Sequence, residues 1–119
     1  MIKILKPDFS FVDERGSLTQ LVREGYKQVN VVESKKDSFR GCHYHKINEE
    51  AFYIISGGLK LEVSRVGSDA IETYEFNTGD MFLIEPYVVH SFSFLEDSTL
   101  VSMYSSGVEL QDGNKDIYE

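Results

Sequence analysis

Along Leu59-Lys60-Leu61-Glu62-Val63-Ser64, apolar and polar side chains alternate without a break. Successive side chains of a strand point to opposite faces, so this run predicts a strand with one face in a core and the other in water. Short runs rich in Val, Ile, Tyr, Phe and Thr recur along the chain, too short and too β-branched for helices. They predict strands over Ile2–Leu5, Ser17–Arg23, Gln28–Glu33, Arg40–His45, Ala51–Ser56, Leu59–Val66, Ala70–Phe76, Met81–Glu85, Val89–Leu95 and Thr99–Tyr104. Turn signals separate them at Asp13-Glu14-Arg15-Gly16, Gly57-Gly58, Gly67-Ser68-Asp69, Asn77-Thr78-Gly79-Asp80 and Glu96-Asp97-Ser98. Short strands at this spacing are the pattern of an all-β sandwich or jelly-roll barrel. The tail after Tyr104 is polar and turn-rich, so it either caps a barrel mouth or frays.

Composition narrows the function. The 119 residues suffice for one domain with a real core, and no stretch approaches a membrane span. Twelve Lys and Arg against 20 Asp and Glu give a net charge of −8, which argues against nucleic-acid or anionic-membrane binding through bulk electrostatics. An acidic small-molecule substrate would need locally placed cations. The single cysteine, Cys42, rules out an intrachain disulfide and reads as a small buried hydrophobe or interface residue. The N-terminal segment lacks the apolar centre and cleavage site of a signal peptide, and the expected compartment is the cytoplasm.

The chemistry concentrates at the three histidines, which fall in two places, His43-Tyr44-His45 and His90. On one strand His43 and His45 would share a face, with Cys42 and Tyr44 on the other. Glu50 opens the next strand with Phe52 and Ile54 on its parity, and His90 opens a later one with Phe92 and Phe94 on its own. Glu49 is the alternative if strand register turns the other carboxylate inward. Three imidazoles and one carboxylate brought together make a nitrogen and oxygen site suited to a divalent ion, zinc first, with iron, manganese, nickel or copper as alternatives. The pairs Phe9 and Phe11, and Phe92 and Phe94, read as core.

The string Gly41 to Gly57 contains His-x-His, four residues, Glu50, six residues and a glycine, and Gly79-Asp80 is followed by an apolar run, Pro86 and His90. These segments resemble the two signature motifs of the cupin superfamily. The resemblance implies one all-β cupin jelly-roll β-barrel domain over residues 1–119, with motifs at about 37–57 and 79–94, a polar tail at 105–119, and His43, His45, Glu50 and His90 as metal ligands. Departures touch turns: Asp37 stands for a glycine, Pro86 is shifted by one, a glycine is replaced around Val88, and Phe94 stands for an Asn.

Asp13-Glu14-Arg15-Gly16 and Arg40-Gly41-Cys42-His43-Tyr44-His45-Lys46 are similar to segments of RmlC-like cupins acting on nucleotide-linked deoxysugars. Within that group stand 3,5-epimerases, 3,4-ketoisomerases and the zinc-bearing cupin domain of capsular-polysaccharide epimerase/reductases, whose C-terminus the ending Asp116-Ile117-Tyr118 also resembles. The likeness implies an epimerase or ketoisomerase of a 4-keto-6-deoxy nucleotide sugar, working as a homodimer whose sites are completed by a neighbour's N-terminal strand. His43 or His45 would serve as base, Tyr44 or Tyr104 as proton donor, and Arg15, Arg40 and Lys46 as substrate contacts. Tyr53 and Tyr104 read equally as core or rim aromatics. If His43 ligates a metal, its nitrogen is occupied and the base lies elsewhere. A non-catalytic metal cupin binding a small sugar or acid, and a small metal-dependent oxygenase, are the competing readings.

Overall fold

The computed structural model describes residues 1–119. Eleven strands form it: β1 (Ile2–Leu5), β2 (Phe9–Asp13), β3 (Gly16–Gln20), β4 (Gln28–Ser34), β5 (Phe39–His43), β6 (Glu50–Ser56), β7 (Gly58–Arg65), β8 (Glu72–Asn77), β9 (Met81–Ile84), β10 (Val88–Phe94) and β11 (Ser98–Tyr104). A five-stranded sheet runs in the order β1-β9-β6-β11-β4 and faces a four-stranded sheet in the order β5-β10-β7-β8, with every pairing antiparallel. This is the expected all-β jelly roll.

Alternation decides which side chains meet between the sheets. Leu59, Leu61 and Val63 of β7 point inward, as their spacing predicts, and meet Phe52 and Ile54 of β6, Phe82 and Ile84 of β9, and Phe92 and Phe94 of β10. Phe82 stacks on Phe76 with ring centroids 4.2 Å apart, and Phe52 meets Phe92 edge-on at 5.0 Å, so aromatic rings bridge the two sheets. A smaller cluster of Ala51, Met81 and Met103 lies on the outer face of the larger sheet, where Leu21, Val22 and Tyr26 cover it.

The two cupin-like glycine substitutions are absorbed by the backbone. Asp37 adopts φ 67° and Tyr87 adopts φ 61°, so non-glycine residues take the left-handed conformation at both turns. Gly57 could not be replaced as easily, because it combines φ 103° with a position where a Cβ would lie 2.6 Å from the Asp97 carbonyl.

Three expectations need correction. Phe9 and Phe11, expected in the core, lie on β2, which pairs with β3 as a separate two-stranded sheet. Its Phe9 and Phe11 are 53% and 50% exposed, because nothing in the chain packs on the hairpin's apolar face. The strand expected to reach His45 ends at His43, and the exposed thiol of Cys42 is not a buried hydrophobe. Of the two alternatives left for the tail, order rather than fraying holds: Tyr118 bridges Tyr44, Glu109 bridges Lys115, and Asp116 is fully buried.

Truncating Phe82, which no solvent reaches, leaves a void between two stacked rings. Phe82→Ala is expected to cost about 3–5 kcal/mol in urea-induced unfolding, within the usual range for a buried aromatic.

Candidate functional site

One end of the barrel interior changes from phenylalanine to histidine. On β10 the inward series Val88, His90, Phe92, Phe94 carries one imidazole, and on β6 the series Glu50, Phe52, Ile54 carries one carboxylate. His43 pairs directly with His90 across the β5–β10 ladder, so both rings enter from the same side. Next to them the ladder slips: Gly41 pairs with Ser91, leaving Cys42 as an extra residue in a β-bulge. Gly41 at φ 119° and Cys42 at φ 60° make that bulge. A Cβ on Gly41 would lie 2.5 Å from the His90 carbonyl.

The bulge reverses side-chain parity. Strict alternation from His43 would turn Arg40 outward, whereas the slip pairs Arg40 with the inward-facing Phe92. Arg40 thus joins His43 on the wall of a pocket of about 140 Å³ that also includes Glu50, His90, Ser102 and Tyr104. Its guanidinium spans the seam between edge strands β5 and β4, donating from Nε to Ser34 Oγ at 2.7 Å and from Nη2 to the Glu33 carbonyl at 3.1 Å.

His45 arrives from beyond the strand. Its Nδ1–H donates to the Asp116 carbonyl at 2.6 Å, and its Nε2 lies 3.0 Å from Glu50 Oε1. Ser102 Oγ donates to Glu50 Oε2 at 2.7 Å, so both carboxylate oxygens are engaged. The His90 Nδ1–H donates to the Val88 carbonyl at 3.0 Å, which leaves Nε2 facing Glu50 Oε1 at 3.6 Å. That Nε2 is buried without a hydrogen-bond partner. One ligand nitrogen from each of His43, His45 and His90 lies within 4.8 Å of the others. An orphaned imidazole nitrogen beside a buried carboxylate and two further imidazoles fits a divalent cation.

The groups titrate apart. Burial works to raise the Glu50 carboxyl, but the hydrogen bond from His45 and the neighbouring imidazoles hold it below its usual range. Burial likewise works to lower His45, and Glu50 together with the Asp116 carbonyl outweighs it and raises the ring. His43 is lowered, by burial first and then by the nearby His45. Burial pushes His90 down to about 4. Tyr104 is pushed up by burial and by the Glu50 charge. The raised His45 and the lowered Glu50 favour a charge-assisted contact between them, while burial favours the neutral form of His43 and His90.

Comparison with known proteins adds the context. The model of the polysaccharide biosynthesis C-terminal domain family matches residues 11–118. The chain belongs to this family. Its fold is that of the RmlC-like cupins, as solved structures show. A double-mutant 3,4-ketoisomerase from Thermoanaerobacterium thermosaccharolyticum, solved in complex with TDP, is 26% identical, with a TM-score of 0.72 over 87% of this chain and 79% of that one. A dTDP-4-dehydrorhamnose 3,5-epimerase from Sulfolobus tokodaii is 24% identical, with a TM-score of 0.74 over 87% and 69%. A 3,4-ketoisomerase from Helicobacter canadensis is 22% identical, with a TM-score of 0.78 over 94% and 87%. Comparison with curated protein sequences finds no match.

In this family member, then, His43, His45, Glu50, His90, Tyr104 and Arg40 gather around one end of the barrel. Three other candidates lie elsewhere in the chain. Tyr44 stands outside the pocket, its ring tilted against Tyr118 and stacked toward Tyr87. Lys46 places its ammonium over the Tyr118 ring, 4.2 Å from the centroid. Arg15 sits on the β2–β3 turn in an exposed ion pair with Asp13. Ser102 and Asp116 escape a search for ligand patterns, being a hydroxyl and a distant carboxylate; only strand parity with Tyr104 marks Ser102, and the Asp116-Ile117-Tyr118 ending marks Asp116.

The His90 shift has a sign that can be measured. Its folded value of about 4 lies below the ordinary 6.5, so in acid the unfolded chain takes up a proton that the folded one refuses. Its contribution to stability is present above pH 6.5 and is lost as pH falls towards 4, about 3 kcal/mol in total at roughly 1.36 kcal/mol per unit. His45 runs the other way: its folded value is raised above 6.5, so its contribution is present below that pH and lost as pH rises through the folded value. Chelator-treated protein is expected to lose stability in urea as pH falls across the His90 window, and His90→Gln is expected to flatten that slope.

Proposed function

We propose that this chain is an isomerase of a nucleotide-linked 4-keto-6-deoxysugar, transferring a proton beside the ketone in surface-polysaccharide or deoxysugar synthesis. The observation that carries the reading is the juxtaposition of His43 and Arg40 on one pocket wall, a neutral base beside a permanent cation. Membership of a polysaccharide-biosynthesis family and likeness to a 26%-identical ketoisomerase solved with TDP support it.

The ketone acidifies the hydrogen on C3. His43 takes that proton, and the C–H electron pair moves through the new double bond onto the ketone oxygen. Returning the proton to the opposite face of C3 yields the epimer. Delivering it to C4 while the C3 hydroxyl passes its own proton to the C4 oxygen yields the shifted ketone. Tyr104, kept protonated by burial and by Glu50, is a suitable donor. A pocket of about 140 Å³ takes the reacting ring and leaves the diphosphate at the rim, where Arg40 offers a planar cation.

His45, His90 and Glu50 would hold a divalent cation, zinc first among the candidates, and when bound it would supply a Lewis acid for the developing oxyanion. A lone pair given to an ion cannot take a proton, and we assign that of His43 to the base. The exposed free thiol of Cys42 supports a reducing compartment, the cytoplasm.

A homodimer completes the proposal. Phe9, Phe11 and Leu18 share one exposed face of the β2–β3 hairpin, and edge strand β4 exposes Val29 and Val31. Such apolar surface on an edge and a projecting hairpin suits a second copy of the chain, and would carry Arg15 onto that copy.

Incubation with TDP-linked 4-keto-6-deoxysugars in D₂O is expected to place deuterium on a ring carbon by proton NMR; no exchange with any sugar of the panel overturns the isomerase. His43→Gln is expected to slow exchange by about a hundredfold or more while the protein keeps its zinc. Zinc lost together with exchange reassigns His43 as a ligand. Sedimentation is expected to show a dimer that Phe11→Asp converts to monomer, and a wild-type monomer at all concentrations sinks the assembly.

A further inference from the structure

We propose that Asp116 is a positioning residue for His45, and that the C-terminal segment is a latch deciding which ring nitrogen His45 presents to the pocket. The inference rests on His45 belonging to the reactive or ion-binding site, and it concerns a residue 71 positions away in the chain.

Asp116 is 0% exposed, and each of its polar groups has an assigned partner. Its Oδ1 accepts from the Lys46 backbone N–H at 2.8 Å. Its Oδ2 accepts from the Ile47 N–H at 3.0 Å, and from the Asn48 N–H and Asn48 Nδ2 at 2.9 Å each. Its own N–H donates to the Val108 carbonyl at 2.8 Å. The carboxylate thus gathers the backbone donors of the three residues that follow His45, a concave arrangement of N–H groups that suits an anion. Asn48 ties the turn further by donating to the Gly107 carbonyl and accepting from the Ser106 N–H. Tyr118 and Tyr44 exchange two backbone hydrogen bonds on the other side of His45.

This frame holds one functional contact, from His45 Nδ1–H to the Asp116 main-chain carbonyl at 2.6 Å. A carbonyl oxygen can only accept, so Nδ1 must carry the proton. Nε2 is then the sole nitrogen available to the pocket, where it faces Glu50 Oε1. The Asp116 side chain fixes the position of its own carbonyl by clamping it to residues 46–48, and so acts on His45 through the backbone. Partners that fix the far nitrogen of a ligating histidine commonly affect metal affinity by about ten- to hundredfold.

The test reads the imidazole itself. In wild-type protein labelled with ¹⁵N-histidine, in alkaline buffer where the ring is neutral, His45 is expected to show the Nδ1–H tautomer by two-bond ¹H–¹⁵N correlation. An Nε2–H tautomer overturns the proposal without any variant. In Asp116→Ala the ring is expected to become a mixture of tautomers, and affinity for zinc alone, by competition with a chromophoric chelator, is expected to fall about ten- to hundredfold. Asp116→Asn, which can keep one backbone acceptor, is expected to fall between the two. Both variants retaining the wild-type tautomer and zinc affinity would overturn the role, and the Asn variant decides it should the Ala variant fail to fold. Neither readout involves a sugar, so failure of the isomerase reading leaves this result separately legible.

Discussion

A carboxylate at the end of a phenylalanine-lined barrel is the constraint around which the rest of this structure is arranged. Glu50 is 4% exposed, and an unpaired charge so placed would cost several kcal/mol. The fold meets that cost with a hydroxyl on one oxygen, Ser102, and an imidazole on the other, His45, with His90 close behind. His45 in turn needs an acceptor for its second nitrogen, and the main chain at Asp116 supplies it. A chain of single hydrogen bonds therefore runs from β11 through β6 to the last turn of the protein, and each member depends on the one before.

The second determinant is a defect in the ladder. Without the extra residue at Cys42, Arg40 and His43 would lie on opposite faces of β5, and the pocket would hold an imidazole but no guanidinium. The bulge re-aims both side chains inward, and Gly41 makes it possible because a side chain there would collide with the His90 carbonyl. An acidic chain of net charge −8 thus presents a positive group on the pocket wall. Arg40 is held by a hydroxyl and a carbonyl rather than a carboxylate, so its charge stays uncompensated for an incoming phosphate.

The apolar surface has the opposite character. The β2–β3 hairpin has no core of its own and contacts no other element strongly, yet it carries aromatic side chains that an isolated hairpin would not keep in water. Arg15 at its turn pairs with Asp13 and lies outside the pocket of its own chain. Family membership places the chain in polysaccharide biosynthesis, and the histidine and carboxylate cluster narrows the chemistry to groups that move protons or hold an ion.

Local periodicity and spacing sufficed for the all-β class and for the inward faces of β6, β7 and β10, whereas the approach of His43, His45, Glu50 and His90 was implied by the resemblance to cupin motifs, His45 lying beyond the end of β5. The former depend on side-chain alternation, which one strand expresses by itself. Asp37 and the turn around Val88 looked like departures from a glycine pattern, and the backbone adopts the left-handed conformation at Asp37 and at Tyr87, the neighbour of Val88. What alternation could not supply is anything set by pairing between distant segments. The bulge at Cys42 exists only against Ser91, the partners of Glu50 come from β11 and the loop after β5, and Phe9 and Phe11 are exposed because no other segment returns to cover them. Asp116 is a polar tail residue until the chain folds back to place it against Lys46, Ile47 and Asn48. Local pattern determines which face a residue occupies, whereas hydrogen bonding across the fold determines which atom of it is left free to react.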